Sequence, residues 1–180
     1  ASAFYPSPFS KAAFLTIDGV GEYETTTFGI ASKNKISILN RLNFPHSLGL
    51  LYSAFTYYCG FKINSGEYKL MGLAPYGKPI YKNIIMDNMI DLKEDGSFRL
   101  NMKYFGHIEG NKATSEDFER LFGKKRRSPE SDISNFYMDI ASSIQFALEE
   151  VFIAICKYVR NETAMDNLCL AGGVALNCVA

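Results

Sequence analysis

The chain has 180 residues, 47% of them hydrophobic and 14% aromatic, which is enough to bury a sizeable core and too apolar for a disordered segment. Lys and Arg total 19, Asp and Glu total 19, and the formal charge is zero, so nothing points to a nucleic-acid backbone or an anionic membrane as partner. No uninterrupted apolar run reaches the roughly 18–20 residues that span a bilayer, and Ala1-Ser2-Ala3-Phe4-Tyr5-Pro6 lacks the charged and apolar regions of a signal peptide.

Residues 12–17 form a nearly continuous apolar run that ends at Asp18-Gly19-Val20-Gly21, the pattern of a buried strand and a turn. Residues 23–31 are rich in β-branched and aromatic types and predict a second strand. Ser32 to Lys35 supplies a turn, and residues 36–42 alternate at a period near two, giving a third strand. The β-rich part therefore covers about residues 12–43, and a mainly helical part follows over 46–180. Pro45-His46-Ser47 opens a helix whose face is Leu48, Leu51, Tyr52, Phe55 and Tyr58, and Gly60 ends it. A short helix is expected from Ser65 to Leu73, a loop over Ala74 to Pro79, and a helix over residues 80–90. Asp95-Gly96 suits the turn of a small hairpin between Ile90 and Leu100.

The stretch from Gly106 to Arg127 is polar, with a helix predicted at 115–122 behind Thr114 or Ser115. Its basic run, Lys124 to Arg127, reads as a solvated loop, with a phosphate or partner contact as the alternative. The longest predicted helix covers 132–160, where Ile133, Tyr137, Ile140, Ile144, Leu148 and Val151 step by three or four and Ile155 and Tyr158 continue the stripe. Leu168 to Ala171 is a short buried strand, and Gly172-Gly173 turns from it into a new helix at Val174. Cys59, Cys156, Cys169 and Cys178 form no CxxC pair and have apolar or aromatic neighbours, as reduced, mostly buried thiols of a cytosolic protein do; zinc is not expected. The missing initiator Met and the break inside an apolar stretch at Asn177 to Ala180 read as a piece of a longer chain.

Three places carry candidate chemistry. Asp18, at a strand end and followed by Gly19 and Gly21, either caps a β-turn or faces a metal ion while backbone N–H groups approach a phosphate. Gly172 and Gly173 lack the Cβ atoms that keep a nucleotide away, and Asn177 one turn later can bond ribose, phosphate or metal-bound water; a plain Gly-Gly turn is the alternative. In Asn64 to Gly77, Glu67 and Lys69 are two residues apart and so are no helical ion pair. They either wall a site, with Lys69 neutralising phosphate and Glu67 binding hydroxyls, or are solvated charges of a surface loop. His46 belongs to a helix start and His107 to an exposed polar segment, and neither has the context of a catalytic triad.

Together and in this order, these segments resemble the carbamoyltransferase family that modifies nodulation factors and antibiotics. The matching stretches are Ala1 to Phe9, Leu15 to Glu22, Phe44 to Ala54, Asn64 to Gly77 and Leu168 to Ala180. The resemblance implies an α/β domain of the actin-like ATPase, sugar-kinase-like (ribonuclease H-like) class, present here in part. It implies a second, adenylate-forming domain of the same full-length chain that makes carbamoyl adenylate from ATP and carbamoyl phosphate. The actin-like domain then passes the carbamoyl group to a hydroxyl of a small-molecule or sugar acceptor, with nucleotide and a divalent metal, iron in related enzymes, between its lobes. By motif position Asp18 is the metal ligand, Gly19, Gly21, Gly172, Gly173 and Asn177 line the nucleotide, and Glu67 and Lys69 face the nucleotide or the carbamoyl group. The family's HxxH-type metal motif lies just upstream of Ala1, so an incomplete metal site and little turnover are expected of the isolated chain. A cytoplasmic location follows from the same reading, and a homodimer stays open. A kinase or ATPase of the same fold, and a non-catalytic interaction domain, are the alternatives.

Overall fold

A computed structural model of the chain describes residues 1–106 and 112–180; His107 lies outside the described residues. In chain order the elements are strands β1 (Lys11–Ile17), β2 (Glu24–Ser32) and β3 (Lys35–Asn43), helices α1 (Leu48–Tyr58), α2 (Glu67–Leu73) and α3 (Lys82–Met89), and strands β4 (Ile90–Leu92) and β5 (Phe98–Leu100). Helices α4 (Glu116–Phe122) and α5 (Asn135–Thr163) and strand β6 (Leu168–Ala171) complete them, together with short 3-10 turns. The fold is mixed α/β. The chain divides into two compact units, the first made of Ala1–Leu50, Leu92–Phe98 and Val151–Cys178, the second of Leu51–Asp91, Arg99–Glu150 and Val179–Ala180.

The first unit is built on a four-stranded sheet of order β3-β2-β1-β6, in which β1 is antiparallel to β2 and parallel to β6. The near-continuous apolar run of β1 follows from its central place, covered on both faces. Phe14 packs with Phe4, Ala12, Ala31 and Cys169 on one face. On the other, Leu15 is fully buried and its cross-strand neighbour Phe28 meets the edge of the Tyr158 ring at 5.7 Å. Gly29 lies opposite Phe14, where a Cβ would stand 2.0 Å from the Ser37 carbonyl and 2.9 Å from the Phe14 ring. Its bareness lets the aromatic ring lie across β2. Each large side chain so buried contributes about 1.5–3 kcal/mol.

The second unit has an aromatic core. Phe118 of α4 sits 4.9 Å from both Phe55 and Tyr58 of α1, and Tyr81 stands 5.5 Å from Phe136 of α5. Two of the phenols in this core are satisfied by backbone, Tyr58 donating to the Lys124 carbonyl and Tyr137 to the Lys125 carbonyl.

The basic run is here, and it is not a solvated loop throughout. Lys124 and Lys125 are exposed, but the Arg126 guanidinium stacks 3.8 Å over Tyr57, and Arg127 is buried against Phe61, donating to the carbonyls of Cys59 and Ser131. Guanidinium groups stack on rings and satisfy several carbonyls at once, which is why the two arginines went inward and the two lysines did not. The cysteine expectation also needs correcting: Cys59 and Cys169 are buried, Cys156 is half-buried and Cys178 is exposed.

Helix boundaries follow local chemistry. Ser115 accepts the Phe118 N–H at 3.3 Å to start α4, and Gly123 in the left-handed region (φ 68°) stops it. Helix α5 begins at Asn135 instead of 132, after Glu130 at φ 60°, and runs on to Thr163, ending at Ala164 with φ 49°. The helix expected from Val174 is a four-residue 3-10 turn, Gly173–Leu176. Two glycines at its entry supply no helix propensity, and a nucleus this short closes i→i+3 bonds more readily than an α-turn. No helix among the described residues is long and apolar enough to cross a membrane.

Candidate functional site

Because β1 and β6 run parallel and adjacent, with Thr16 beside Ala171, their carboxyl ends deliver two turns to one edge of the sheet. That is where open α/β sheets place ligands. Asp18 emerges from β1, exposed, and its Oδ1 accepts the N–H of Gly19 at 2.8 Å and that of Gly173 at 3.4 Å. The carboxylate therefore joins the two turns, and Oδ2 accepts no hydrogen bond from the described residues. Gly172 makes the approach sterically feasible: it sits at φ 97°, and a Cβ would fall 2.2 Å from the Ile17 carbonyl oxygen. A Cβ on Gly173 would lie 3.2 Å from Asp18 Oδ1, whereas Gly19 has open space where its Cβ would be. Gly21 closes the first turn by donating to the Glu24 carbonyl at 3.1 Å.

The rear of this turn is held by residues that sequence reasoning passed over. Ser47 is fully buried; its Oγ lies 3.0 Å from the Asp18 carbonyl and 2.5 Å from that of Gly19, and it accepts the Leu50 N–H at 3.0 Å. One hydroxyl thus caps α1 and fixes the peptide next to the candidate carboxylate. Gly49 follows: a Cβ there would fall 2.7 Å from Gly19 Cα, so the first turn of α1 rests directly on the Asp18–Gly19 backbone. The signal was present in Pro45-His46-Ser47, legible as a helix start but silent about which carbonyls the cap would meet. Thr25, also buried, ties in the neighbouring strand, its carbonyl taking the Asp18 N–H and its hydroxyl reaching the His46 carbonyl at 2.5 Å. Asn177 ends the 3-10 turn, its N–H on the Val174 carbonyl, and so stands at the close of that turn and not inside a helix.

A family profile described as Carbamoyltransferase N-terminus matches residues 1–180. The chain belongs to the carbamoyltransferase family. Among its relatives, an uncharacterized protein of Synechocystis sp. is 58% identical over the whole chain, which covers 29% of that protein. The nodulation protein NolNO of Sinorhizobium fredii is 32% identical over 98% of the chain and 24% of its own length, and the nodulation protein NolO of Bradyrhizobium diazoefficiens is 32% identical over 98% and 30%. The chain thus spans less than a third of the length of each of these relatives.

The other two candidate residues of this carbamoyltransferase chain lie in the second unit. Glu67 opens α2, and its carboxylate accepts from the Ser53 hydroxyl at 2.8 Å, the Asn64 N–H at 3.0 Å and the Gly66 N–H at 3.1 Å. With three of about four acceptor positions used, Glu67 orders the loop that enters α2. An anion at the first turn of a helix also suits the helix dipole. Lys69, on the same helix, is exposed and has no carboxylate partner among the described residues. The structure therefore brings Asp18, Gly19, Gly172 and Gly173 together in the first unit and sets Glu67 and Lys69 on one helix of the second. For the divalent metal, the described residues hold no group of three His, Cys, Asp or Glu suited to an ion. Asp18 supplies one carboxylate, which does not by itself make a metal centre.

Proposed function

We propose that this chain is part of an O-carbamoyltransferase whose nucleotide site lies at the carboxyl ends of β1 and β6, in a domain of the actin-like, sugar-kinase-like class. The observation that carries the reading is the Asp18 carboxylate joining two glycine turns at the end of parallel strands, in a chain that belongs to this family over its whole length. Carbamoyl phosphate and ATP are the expected source of the group, through carbamoyl adenylate made in another domain of the full-length protein. The acceptor is a hydroxyl compound, a small molecule or a sugar.

In the transfer step the acceptor oxygen bonds to the carbamoyl carbon, the carbon–oxygen bond to AMP breaks, and the hydroxyl proton is released. Gly172 and Gly173 let the nucleotide approach the backbone, and Asp18, through Oδ2, orients it from the β1 side. Ser47 and Gly49 hold Asp18 in place from behind. Within the second unit Glu67 orders the entry to α2, and Lys69, exposed on that helix, is a cation available to an anionic group. Holding both reactants in register accounts for much of the rate gain of such a transfer. A bound metal would stabilise developing negative charge, and of the candidate residues Asp18 is the one that would hold it. A cytoplasmic setting, where ATP is available and thiols stay reduced, suits cysteines that form no disulfide among the described residues.

The test is an assay of the full-length protein with ATP, carbamoyl phosphate and a panel of hydroxylated acceptors. The expected products are AMP and a carbamate ester, both dependent on carbamoyl phosphate. Formation of ADP and a phosphate ester without carbamoyl phosphate would identify a kinase of the same fold instead.

A further inference from the structure

Within the second unit, α2 and the turn after it form a rib with one packed side and one bare side. Leu70, Leu73 and Ala74 are buried. Away from them Tyr68 is 64% exposed and Tyr76 77% exposed, with exposed Gly72 midway between the two. The rib is continuous, because Leu73 and Ala74 keep right-handed helical angles where α2 passes into the 3-10 turn Ala74–Tyr76. Residues four apart on a helix share a side, so Tyr68, Gly72 and Tyr76 make one exposed row.

Glycine is, after proline, the poorest helix former. Other glycines of this unit are required by the chain itself. A Cβ on Gly66 would lie 2.6 Å from the Lys62 carbonyl, and Gly77 leaves no room for a Cβ against the Met138 carbonyl. A Cβ on Gly72, by contrast, would meet nothing within 4 Å. Its bare backbone serves no neighbour among the described residues and leaves a place where a partner can approach the helix axis closely.

The tyrosines are the two sides of this saddle. Eight helical residues set them roughly 12–14 Å apart along the axis, which matches the width of an α-helix with its side chains, about 10–12 Å. The end of the rib is fastened to α5, the Lys78 N–H donating to Asp139 Oδ1 at 2.8 Å and the Tyr81 N–H to Ser143 Oγ at 3.0 Å. Large exposed rings on a held backbone are the usual anchors of an interface.

Charge and chain length choose the occupant. Over residues 64–80 the charged side chains are Glu67, Lys69 and Lys78. Glu67 spends its carboxylate on Ser53, Asn64 and Gly66. Lys69 and Lys78 are exposed toward the two ends of the row, so the surface offers cations and favours a partner that carries carboxylates. The chain covers 24–30% of three relatives, and most of each of those proteins lies outside the match.

We propose that Tyr68, Gly72 and Tyr76 seat an α-helix from the part of the full-length protein outside these 180 residues. It crosses α2 at Gly72, with carboxylates on its two flanks facing Lys69 and Lys78. The docking does not rest on the carbamoyl-transfer reading.

The full-length protein would be treated with a carbodiimide, which joins touching ammonium and carboxylate groups without a spacer, and its linked peptides identified by mass spectrometry. In the monomer, Lys69 and Lys78 are expected to link to one segment outside residues 1–180. The linked carboxylates should lie two or five residues apart, spacings that put them on opposite flanks of a helix. Gly72→Leu, which fills the saddle, should lower the yield of these links about tenfold. Gly72→Ala should lower the thermal midpoint, whereas on an uncovered helix alanine raises it. Should Gly72→Leu unfold, Gly72→Ala decides. Links to a second copy, found in covalent dimers, would overturn the proposal in favour of self-association. So would no links from either lysine, links confined to residues 1–180, an undiminished yield in Gly72→Leu, or a raised midpoint in Gly72→Ala.

Discussion

Ser47 and Cys59 show how single buried polar groups are used differently in this chain. The Ser47 hydroxyl serves a helix terminus and two carbonyls of the Asp18 turn at once, with no exposure to water. Ser47→Ala removes the cap and leaves those carbonyls without the hydroxyl, so it should cost about 1–2 kcal/mol. Faster hydrogen exchange in the peptide containing Asp18 to Glu24 would locate the loss; exchange unchanged there would show that the cap and the turn are not coupled. The Cys59 thiol is fully buried with a weak contact to the Tyr137 carbonyl, and burial, partly opposed by the Arg127 charge, pushes it up to about 12 from an ordinary 9.0. Above pH 9 the unfolded chain releases this proton while the folded chain keeps it, so folding stability is intact below pH 9 and falls as pH rises from 9 toward 12. Burial raises the phenols of Tyr58 and Tyr137 as well, which adds to the fall with the same sign. Denaturant titrations between pH 8 and 11 should show this decline, and Cys59→Ala should remove about one proton from its slope. An identical slope in the variant would place the thiol in water.

At the scale of elements, the sheet and the turns explain each other. The turn after β6 reaches the end of β1 only because Gly172 adopts φ 97° without a Cβ to strike Ile17. Gly172→Ala combines a left-handed residue with a backbone clash and should destabilise the first unit by about 2–3 kcal/mol or more. It should also slow carbamoyl transfer in the full-length protein, whereas Gly19→Ala, with open space at that position, should leave stability nearly unchanged. Equal losses in the two variants would contradict this account of the turn. Much of this was legible in the sequence. The apolar run of 12–17 and the three-to-four spacing along α5 each report burial; the alternation of 36–42 marked a strand, but β3 lies at the sheet edge without a buried residue, and Ile38 and Leu39 are half exposed. Asp18 and the Gly172-Gly173 pair were legible because few residue types tolerate such turns. The cap by Ser47 and the rest of Gly49 on Gly19 were not, since each depends on contacts between residues far apart in the chain. The inward turn of Arg126 and Arg127 escaped for a related reason. A charge run looks solvated until the rings and carbonyls beneath it are known.

At the scale of the whole molecule, the chain is a family member that covers 24–30% of three of its relatives. Its two units carry different candidate residues: the first holds the strand-end turns around Asp18, the second holds Glu67 and Lys69. Because the proposed scheme activates the carbamoyl group in another domain of the full-length protein, making the activated group and transferring it should be separable by mutation. The most direct test is Asp18→Ala in the full-length protein, with carbamoyl adenylate formation and carbamoyl transfer followed in the same reaction. Formation at the wild-type rate with transfer lowered by about 100-fold or more is the predicted result. Transfer at the wild-type rate would make Asp18 a turn residue only and would remove the site from the ends of β1 and β6.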